Sequence, residues 1–396
     1  MKQPWTRDFH YAASYTILLT MVPFLLLLAV IFREILLLGL ALFFTLFVYA
    51  NKWYINYVAA HLFIPHVANE VRLFPEDEGV LHVPFENRGK IPIFNGKWGF
   101  HLFDHEEAVS VLDDQQPSSY KRAFNVPSQT KREYKTYVKG VKRGISQVRS
   151  IEVVLYDVFK LSSVRMVYQG TYRGEVIVYP KPAPVENLDT HLQQSRGSHT
   201  KPHSLYEEMT MTRGSREYRT GDPFNRINWK TTARSGELQT NIYEKVTLSK
   251  WTLVLNLRAE NPLIPTLQNL EDVLSQVACA LQYATKQGIT YEMFINVKIP
   301  GSSTGLHVEA DEGKKHLMTC LEVLARLRHG QITINEQLMM KKIFEHNGTC
   351  AVFHFGTYGK TEEDYYSHAS QKGTSISIIT PPGLKRGRQK HEEVAT

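Results

Sequence analysis

The residues most able to do chemistry lie in one stretch, GDPFNRINWKTTARSGEL, from Gly221 to Leu238. It holds an Asp-Pro step, a tryptophan and a row of bases, a set suited to binding an anion or docking a partner. Arg226, Lys230 and Arg234 recur at i, i+4 and i+8, the spacing of one helix face. Asp222 before Pro223 reads as a helix start, with an N-cap oxygen followed by proline in the first turn. The spacing predicts a helix from Pro223 to about Ser235, stopped by Gly236. Phe224, Ile227 and Thr231 would form its inward face, with Trp229 between the two faces. Arg213, Arg216 and Arg219 lie just upstream, and Arg213 to Lys245 carries seven bases and four acids. The plain alternative is a solvated helix face, or ion pairs with Glu217, Asp222 and Glu244. No base, nucleophile and orienter stand at an interpretable spacing, so no catalytic residue is assigned.

Three further groups invite chemistry and fall short of it. GSSTG, Gly301 to Gly305, matches a nucleophile elbow in letters, but Pro300 before it and LHVEA after it suit a hairpin better than a strand-to-helix turn. FHFGTYGKTEED places Lys360 and Thr361 after a strand, as a phosphate-binding loop does, yet His354 stands where the first glycine belongs. Cys279, Cys320 and Cys350 are odd in number, far apart and set among apolar residues, as small buried hydrophobes would be. His191, His199 and His203 lack metal-ligand spacing.

These residues need elements to hold them. The chain has 396 residues, 43 % hydrophobic and 21 % charged, with a formal net charge of +7. That length suits two or three compact units, and that charge suits an anionic partner. Ala12 to Phe32 carries no charge and is long enough to cross a bilayer core, which needs ~20 residues. Arg33 and Glu34 interrupt, and Ile35 to Ala50 is apolar again. A two-residue connection forces a hairpin. Lys52, Trp53 and Tyr54 read as an interfacial flank, and Pro23 as a kink in the first helix. A cleaved leader is disfavoured, because the first run is long and the second follows at once. Lys2, Arg7 and Lys52 on the outer ends, against Arg33 at the tip, place those ends in the cytoplasm.

From about Leu73 to Val185, short alternating runs broken by Gly, Pro, Asn and Asp predict a sandwich-like sheet. Residues 190–204 read as a linker. Beyond residue 250, strand and helix alternate: WTLVLNLRA, a helix ending at Gly288, TYEMFINVKI, helices near Glu312 to Arg328 and Asn335 to Glu345, then TCAVFHF and SISIIT. That alternation predicts a doubly wound α/β layer. Lys385, Arg386, Arg388 and Lys390 make a basic tail.

GSREYRTGDPFNRINWKTTARSGEL…YEK resembles the signature of the DUF58 family. Glu217, Tyr218, Gly221, Asp222, Arg226, Ile227, Trp229, Ala233, Arg234, Leu238 and Glu244 fit that pattern, while Asn228 stands where histidine is common. Arg143–Gly144, Tyr156 to Leu161 and Val178 to Pro182 also resemble family landmarks. The resemblance implies a von Willebrand factor A-like C-terminal part, in which a D-x-S-x-S run after the first strand holds Mg²⁺ through oxygens. Here Asn256, Arg258 and Glu260 occupy that run, so the metal site is degenerate and no metal is expected. Family proteins are often encoded beside MoxR-type AAA+ ATPases and transglutaminase-like membrane proteins, which implies such partners.

The expected organisation is therefore a transmembrane hairpin over 1–60, a β-rich domain over 61–189, a linker, the signature over 205–249, the α/β domain over 250–383 and the tail over 384–396. The expected function is a membrane-anchored cytoplasmic scaffold, non-enzymatic and without cofactor, that engages a MoxR-type ATPase. Glu217 to Leu238, with Lys230 and Glu244, would be its docking surface or domain-organising core. The alternatives are a hydrolase-type enzyme, or a basic surface for anionic lipid or nucleic acid. No recognised nucleic-acid fold accompanies the charge, so nucleic acid is not expected.

Overall fold

The computed structural model describes residues 4–65, 69–104, 106–112, 122–170, 172–185, 207–245, 250–259, 261, 263–345, 351–371 and 374–379. The linker expected at 190–204, Glu260, Cys350 and the basic tail lie outside them. The chain divides into two compact units, Met1–Tyr179 and Pro180–Thr396.

In the first unit, the two apolar runs form helices α1 (Ala13–Phe32) and α2 (Ile35–His61). Arg33 ends α1 in a left-handed conformation, and Glu34, extended, starts α2. Both helices are long and apolar enough to cross a membrane. Ile17, Phe24, Leu27, Val30, Leu42, Phe43 and Leu46 are each more than half exposed. Helix α1 continues through Pro23.

Two sequence expectations change here. The flank at Lys52–Tyr54 does not end the helix, because α2 runs on to His61. Asn51, Tyr54, Ile55, Val58 and Ala59 are buried, the i, i+3, i+4, i+7, i+8 stripe of an amphipathic helix. Tyr54 therefore belongs to a core, and its hydroxyl donates to the Pro92 carbonyl at 3.0 Å. Trp53, on the opposite side, stays exposed. The second change lies before the hairpin. Residues 5–11, grouped with the hairpin as its leading flank, form strand β1 (Trp5–Tyr11), which pairs antiparallel with β10 (Ser162–Tyr168). The sheet domain thus starts ahead of the helices that interrupt it.

Period-two burial builds that domain. One sheet runs β1-β10-β9-β11-β3, where β9 is Gly144–Tyr156, β11 is Gly174–Val178 and β3 is Asn69–Leu73. β5 (Ile93–Asp104) also pairs with β9, and β7 (Arg122–Val126) pairs with β5. The other sheet runs β2-β4-β8-β6, from Leu62–Phe63, Glu78–Asn87, Thr130–Gly140 and Val109–Val111. Alternate residues of both sheets, among them Val83, Phe85, Trp98, Phe100, Val153 and Met166, share one core with Ile55 and Val58 of α2.

In the second unit, β12 (Glu207–Glu217) and β13 (Gln239–Lys245) form an antiparallel ribbon that carries the short helix α3 (Trp229–Ser235). A five-stranded sheet follows, in the order β16-β15-β14-β17-β18. β14 (Lys250–Asn256), β15 (Thr290–Ile295), β17 (Ala351–Gly356) and β18 (Ser375–Ile379) are parallel, and β16 (Leu306–Asp311) is an antiparallel edge. The helices are α4 (Leu270–Lys286), α5 (Gly313–Arg326), α6 (Glu336–Glu345) and α7 (Lys360–Gln371). Val254, Phe294 and Val352 pack with Met339, Met340 and Ile343 of α6 and Tyr366 of α7. On the other face, Trp251 stacks on Tyr283 of α4, and Tyr291 meets His316 of α5. Helices cover both faces, so the central strands β14, β15 and β17 are buried along nearly their whole length, and the polar side chains of Thr252 and Glu292 within them bond to one another. The doubly wound layer expected from the alternation is present.

If the end of α2 belongs to the sandwich core, Ile55→Ala should destabilise the first unit by about 2–5 kcal/mol. Trp53→Ala, two residues away and exposed, should cost less than about 1 kcal/mol. Denaturant unfolding of the full chain in detergent, followed by near-ultraviolet circular dichroism, checks the contrast; equal effects would contradict this packing.

Candidate functional site

The signature does not fold as one helix. Phe224–Arg226 is a single 3-10 turn, the chain extends at Ile227, and α3 starts at Trp229. The break has a local cause. Ile227 bridges to Thr240 of β13, and the Asn228 N–H donates to the Gln239 carbonyl at 2.7 Å. Two residues are thereby pulled onto the ribbon, and a helix cannot continue through them.

The N-cap is consequently Asn228 rather than Asp222. Its Oδ1 accepts from the Thr231 N–H at 3.0 Å, and its Nδ2 donates to Asn241 Oδ1 at 2.8 Å. Gly236 ends the helix as expected, at φ +78°. The expected basic stripe is divided: Lys230 and Arg234 share α3 and are exposed, whereas Arg226 lies in the 3-10 turn and is partly buried. Of the three residues expected to face inward, only Ile227 is buried. Phe224 is 74 % exposed, with its ring stacked on Tyr218, and Thr231 is partly buried. Trp229 is 67 % exposed, and Leu238 and Ile242 are also exposed. Ala233 and Glu217 lie at the surface, Gly221 sits in the turn where the Asp222 N–H meets the Arg219 carbonyl, and Glu244 is in β13 opposite Glu208.

Asp222 has a different task. Arg216 grips it through two parallel bonds, Nη1 to Oδ2 at 2.7 Å and Nη2 to Oδ1 at 2.8 Å. The Arg219 N–H adds a third at 3.0 Å, and the Thr240 hydroxyl a fourth at 3.4 Å. The Arg216 guanidinium, with the Arg219 amide, holds the Asp222 carboxyl down to about 2. A carboxylate so held is a fastener of the loop and a poor proton acceptor.

The second constellation lies where the sheet order reverses, with β14 between β15 and β17. Open α/β sheets bind ligands outside the strand ends at such a point. Asn256 ends β14 there. Its Nδ2 donates to Glu362 Oε1 at 2.7 Å, and its Oδ1 accepts from Asn296 Nδ2 at 2.6 Å. Asn296 Oδ1 takes the Leu257 N–H at 2.8 Å, and Glu362 Oε2 takes the Gly359 N–H at 3.1 Å. Asn256, Asn296 and Glu362 are all buried. Arg258 turns aside to Glu336, at 3.3 Å. Two amides and one carboxylate therefore satisfy one another at this point. Among the described residues, no group of three or more His, Cys, Asp or Glu is placed to share a metal ion. Burial raises the Glu362 carboxyl above its ordinary 4.5.

Asn296 and Glu362 are candidate-site residues that the sequence alone does not single out. Both occupy positions that the alternation marks, the residue after a strand and the first turn of the following helix, but nothing in the spacing pairs them with Asn256.

The other two motifs resolve into structure. His354 is fully buried, and its Nε2 lies 2.8 Å from the Thr357 carbonyl, so that nitrogen carries the proton. Its Nδ1 then accepts from the Tyr366 hydroxyl at 2.8 Å. Burial pushes the imidazole down to about 4. Glu362 already occupies the amide at the start of α7 that a phosphate would use. Gly356, at φ +98°, leaves room for the Asn256 carbonyl, which a Cβ would strike. In GSSTG, Ser302 bridges to Ile299 and its hydroxyl donates to the Gly305 carbonyl at 2.7 Å. That is a strand-to-strand turn, unlike a nucleophile elbow.

Two measurements follow. The Asp222 value is depressed from 3.8, so the pair's stabilisation is complete above that pH and is lost as pH falls toward about 2. Arg216→Ala should return the carboxyl toward 3.8 in a carbon-13 NMR titration; an unchanged titration would dissolve the pairing. Glu362 has the opposite sign. Its raised value gives most stability below 4.5, with a loss as pH rises through the folded value. Glu362→Gln should therefore flatten the fall in melting temperature between acidic and neutral pH, which thermal scans at several pH values would detect.

No family model matches the chain, and no curated protein matches it. Among solved structures it is similar to the native conformation of E. coli alpha-2-macroglobulin, with 12 % identity, 31 % of this chain, 7 % of that chain and a TM-score of 0.19. It is also similar to the secreted serine protease VesC from Vibrio cholerae, with 8 % identity, 38 % and 28 % coverage and a TM-score of 0.19. A third is a type I cohesin–dockerin complex from Clostridium thermocellum, with 15 % identity, 30 % and 91 % coverage and a TM-score of 0.20. The chain spans less than a third of the length of the first two.

Proposed function

We propose that this chain is a membrane-anchored scaffold whose signature surface docks a protein partner. In this reading α1 and α2 span the membrane, the sandwich and α/β units stand on the cytoplasmic side, and the chain is a DUF58-type protein with a von Willebrand factor A-like second unit. The partner is an AAA+ ATPase of the MoxR type, alone or with a transglutaminase-like membrane protein. The span rests on uncharged apolar runs within α1 and the first part of α2, whose large side chains are exposed. Orientation rests on Lys2, Arg7 and Lys52 at the outer ends of the hairpin.

One observation carries the docking reading: Phe224 and Trp229 are both largely exposed, in a short stretch that also carries exposed Lys230 and Arg234. Exposed aromatics together with arginine, here Phe224, Trp229 and Arg234, are what protein interfaces enrich. The net charge of +7 favours an acidic partner. The internally satisfied Asn256–Asn296–Glu362 cluster is suited to holding a module together, and supplies no open coordination site.

The test is in-cell crosslinking of the tagged full-length chain with identification by mass spectrometry. A triple variant, Trp229→Ala with Lys230→Glu and Arg234→Glu, should fold as the wild type does and lose an ATPase that the wild type recovers. Because Ile227, Asn228 and Asp222 make the local fold, they are left intact. Equal recovery by a folded triple variant would remove the docking role from this surface.

A further inference from the structure

The turn between β9 and β10 departs from what turns usually are. Its tip holds two consecutive apolar residues, Val158 and Phe159, which are 53 % and 60 % exposed. Turn tips favour Gly, Pro, Asn, Asp and Ser, and exposed apolar pairs in water mark a contact surface. Nor is this turn loose. Asp157 is buried, and its Oδ1 accepts the N–H groups of Phe159 at 2.8 Å and Leu161 at 3.0 Å. Its Oδ2 accepts the N–H and hydroxyl of Ser162 at 2.5 and 2.6 Å. Four hydrogen bonds to one carboxylate hold the backbone of the turn that carries the two apolar side chains.

Position decides what they meet. The Phe159 ring lies 4.9 Å from that of Phe47 in α2. Phe47 is five residues before Lys52, ~7.5 Å toward the hairpin tip at ~1.5 Å per residue. The Ala12 N–H, at the start of α1, donates to the Leu161 carbonyl at 2.9 Å, so the turn is also tied to the other apolar helix. Phe94, which precedes the residue paired with Tyr156, is exposed at the same end of the sheet. Lys160, beside Phe159, is exposed and long enough to keep its ammonium among headgroups while its stem lies lower.

We propose that Val158 and Phe159 insert into the acyl region of the bilayer beside α2, as a third, non-spanning membrane contact that sets how the sandwich domain stands on the lipid. The occupant is lipid because the tip is continuous with the lipid-facing surface of α2 and lies on the apolar side of Lys52. The inference rests on the reading that α1 and α2 span the membrane, and the experiment separates the two.

The full-length protein is reconstituted into vesicles of phosphatidylcholine and phosphatidylglycerol doped with a lipid bearing a photoactivatable diazirine in its acyl chain. Adducts are then located by mass spectrometry. The expected result is adducts on Val158 or Phe159 together with adducts on lipid-facing residues of α1 and α2, such as Leu27 and Leu46. Adducts on the helices with none on the turn, as a protein covering of Phe159 would give, overturn the proposal and leave the span standing. Absence of adducts from helices and turn alike overturns both. Unlabelled peptides from the sheet interior, around Phe124, set the background.

Discussion

The burial of the last turns of α2 in the sandwich core is the contact on which the first unit depends. A helix that is apolar all round gains nothing by pointing one way, so its rotation is free until something else fixes it. The stripe Asn51, Tyr54, Ile55, Val58 and Ala59 supplies that fixture. Because an α-helix is stiff over a few turns, the orientation set at Ile55 carries back through Phe47 to the hairpin tip. Strand β1 adds a second tie on the other side, since its pairing with β10 delivers the chain to Ala13. The hairpin is held by the sheet domain at both ends. The Asp157 turn makes sense in that frame, because it joins the two strands, β9 and β10, that those ties engage.

In both constellations of the second unit polar groups satisfy one another, in a buried cluster at the strand ends and in a partly exposed ion pair on the ribbon. At the strand ends, Asn256, Asn296 and Glu362 exchange hydrogen bonds in a buried setting, where an unpaired polar group would cost about 1–3 kcal/mol. On the ribbon, Arg216 and Arg219 occupy Asp222 and leave it little basicity. Groups committed in this way organise backbone. At the surface stand the aromatic rings of Phe224, stacked on Tyr218, and of Trp229, with Lys230 and Arg234 exposed on α3.

The difference between the expected and observed signature has a single physical origin. Taken as an isolated helix, Pro223 to Ser235 has a good start in Asp-Pro and a face in the i, i+4 spacing of its bases. The ribbon intervenes. A bridge from Ile227 to Thr240 and a hydrogen bond from Asn228 to Gln239 lie between residues 11 to 13 apart, and no local spacing announces them. Those contacts divide the helix, move the cap to Asn228 and leave Asp222 to Arg216. Gly236 was legible because its role is local: a left-handed residue ends a helix whatever packs nearby.

By itself the sequence determined the elements whose cause lies within a few neighbours. Long uncharged runs dictate apolar helices, a two-residue break dictates a short connection, alternation dictates a sandwich, and largely apolar strands between amphipathic helices dictate a covered parallel sheet. Tertiary structure alone decided that residues 5–11 complete a sheet with residues 162–168, that α2 continues into the core, that Asn256 meets Asn296 and Glu362, and that Phe159 rests against Phe47. Each of these joins segments 40 or more residues apart, or depends on which side of an element another element covers. Hydrogen bonding and burial reward such contacts only after the chain has closed the intervening loops, and residue spacing carries no record of that closure.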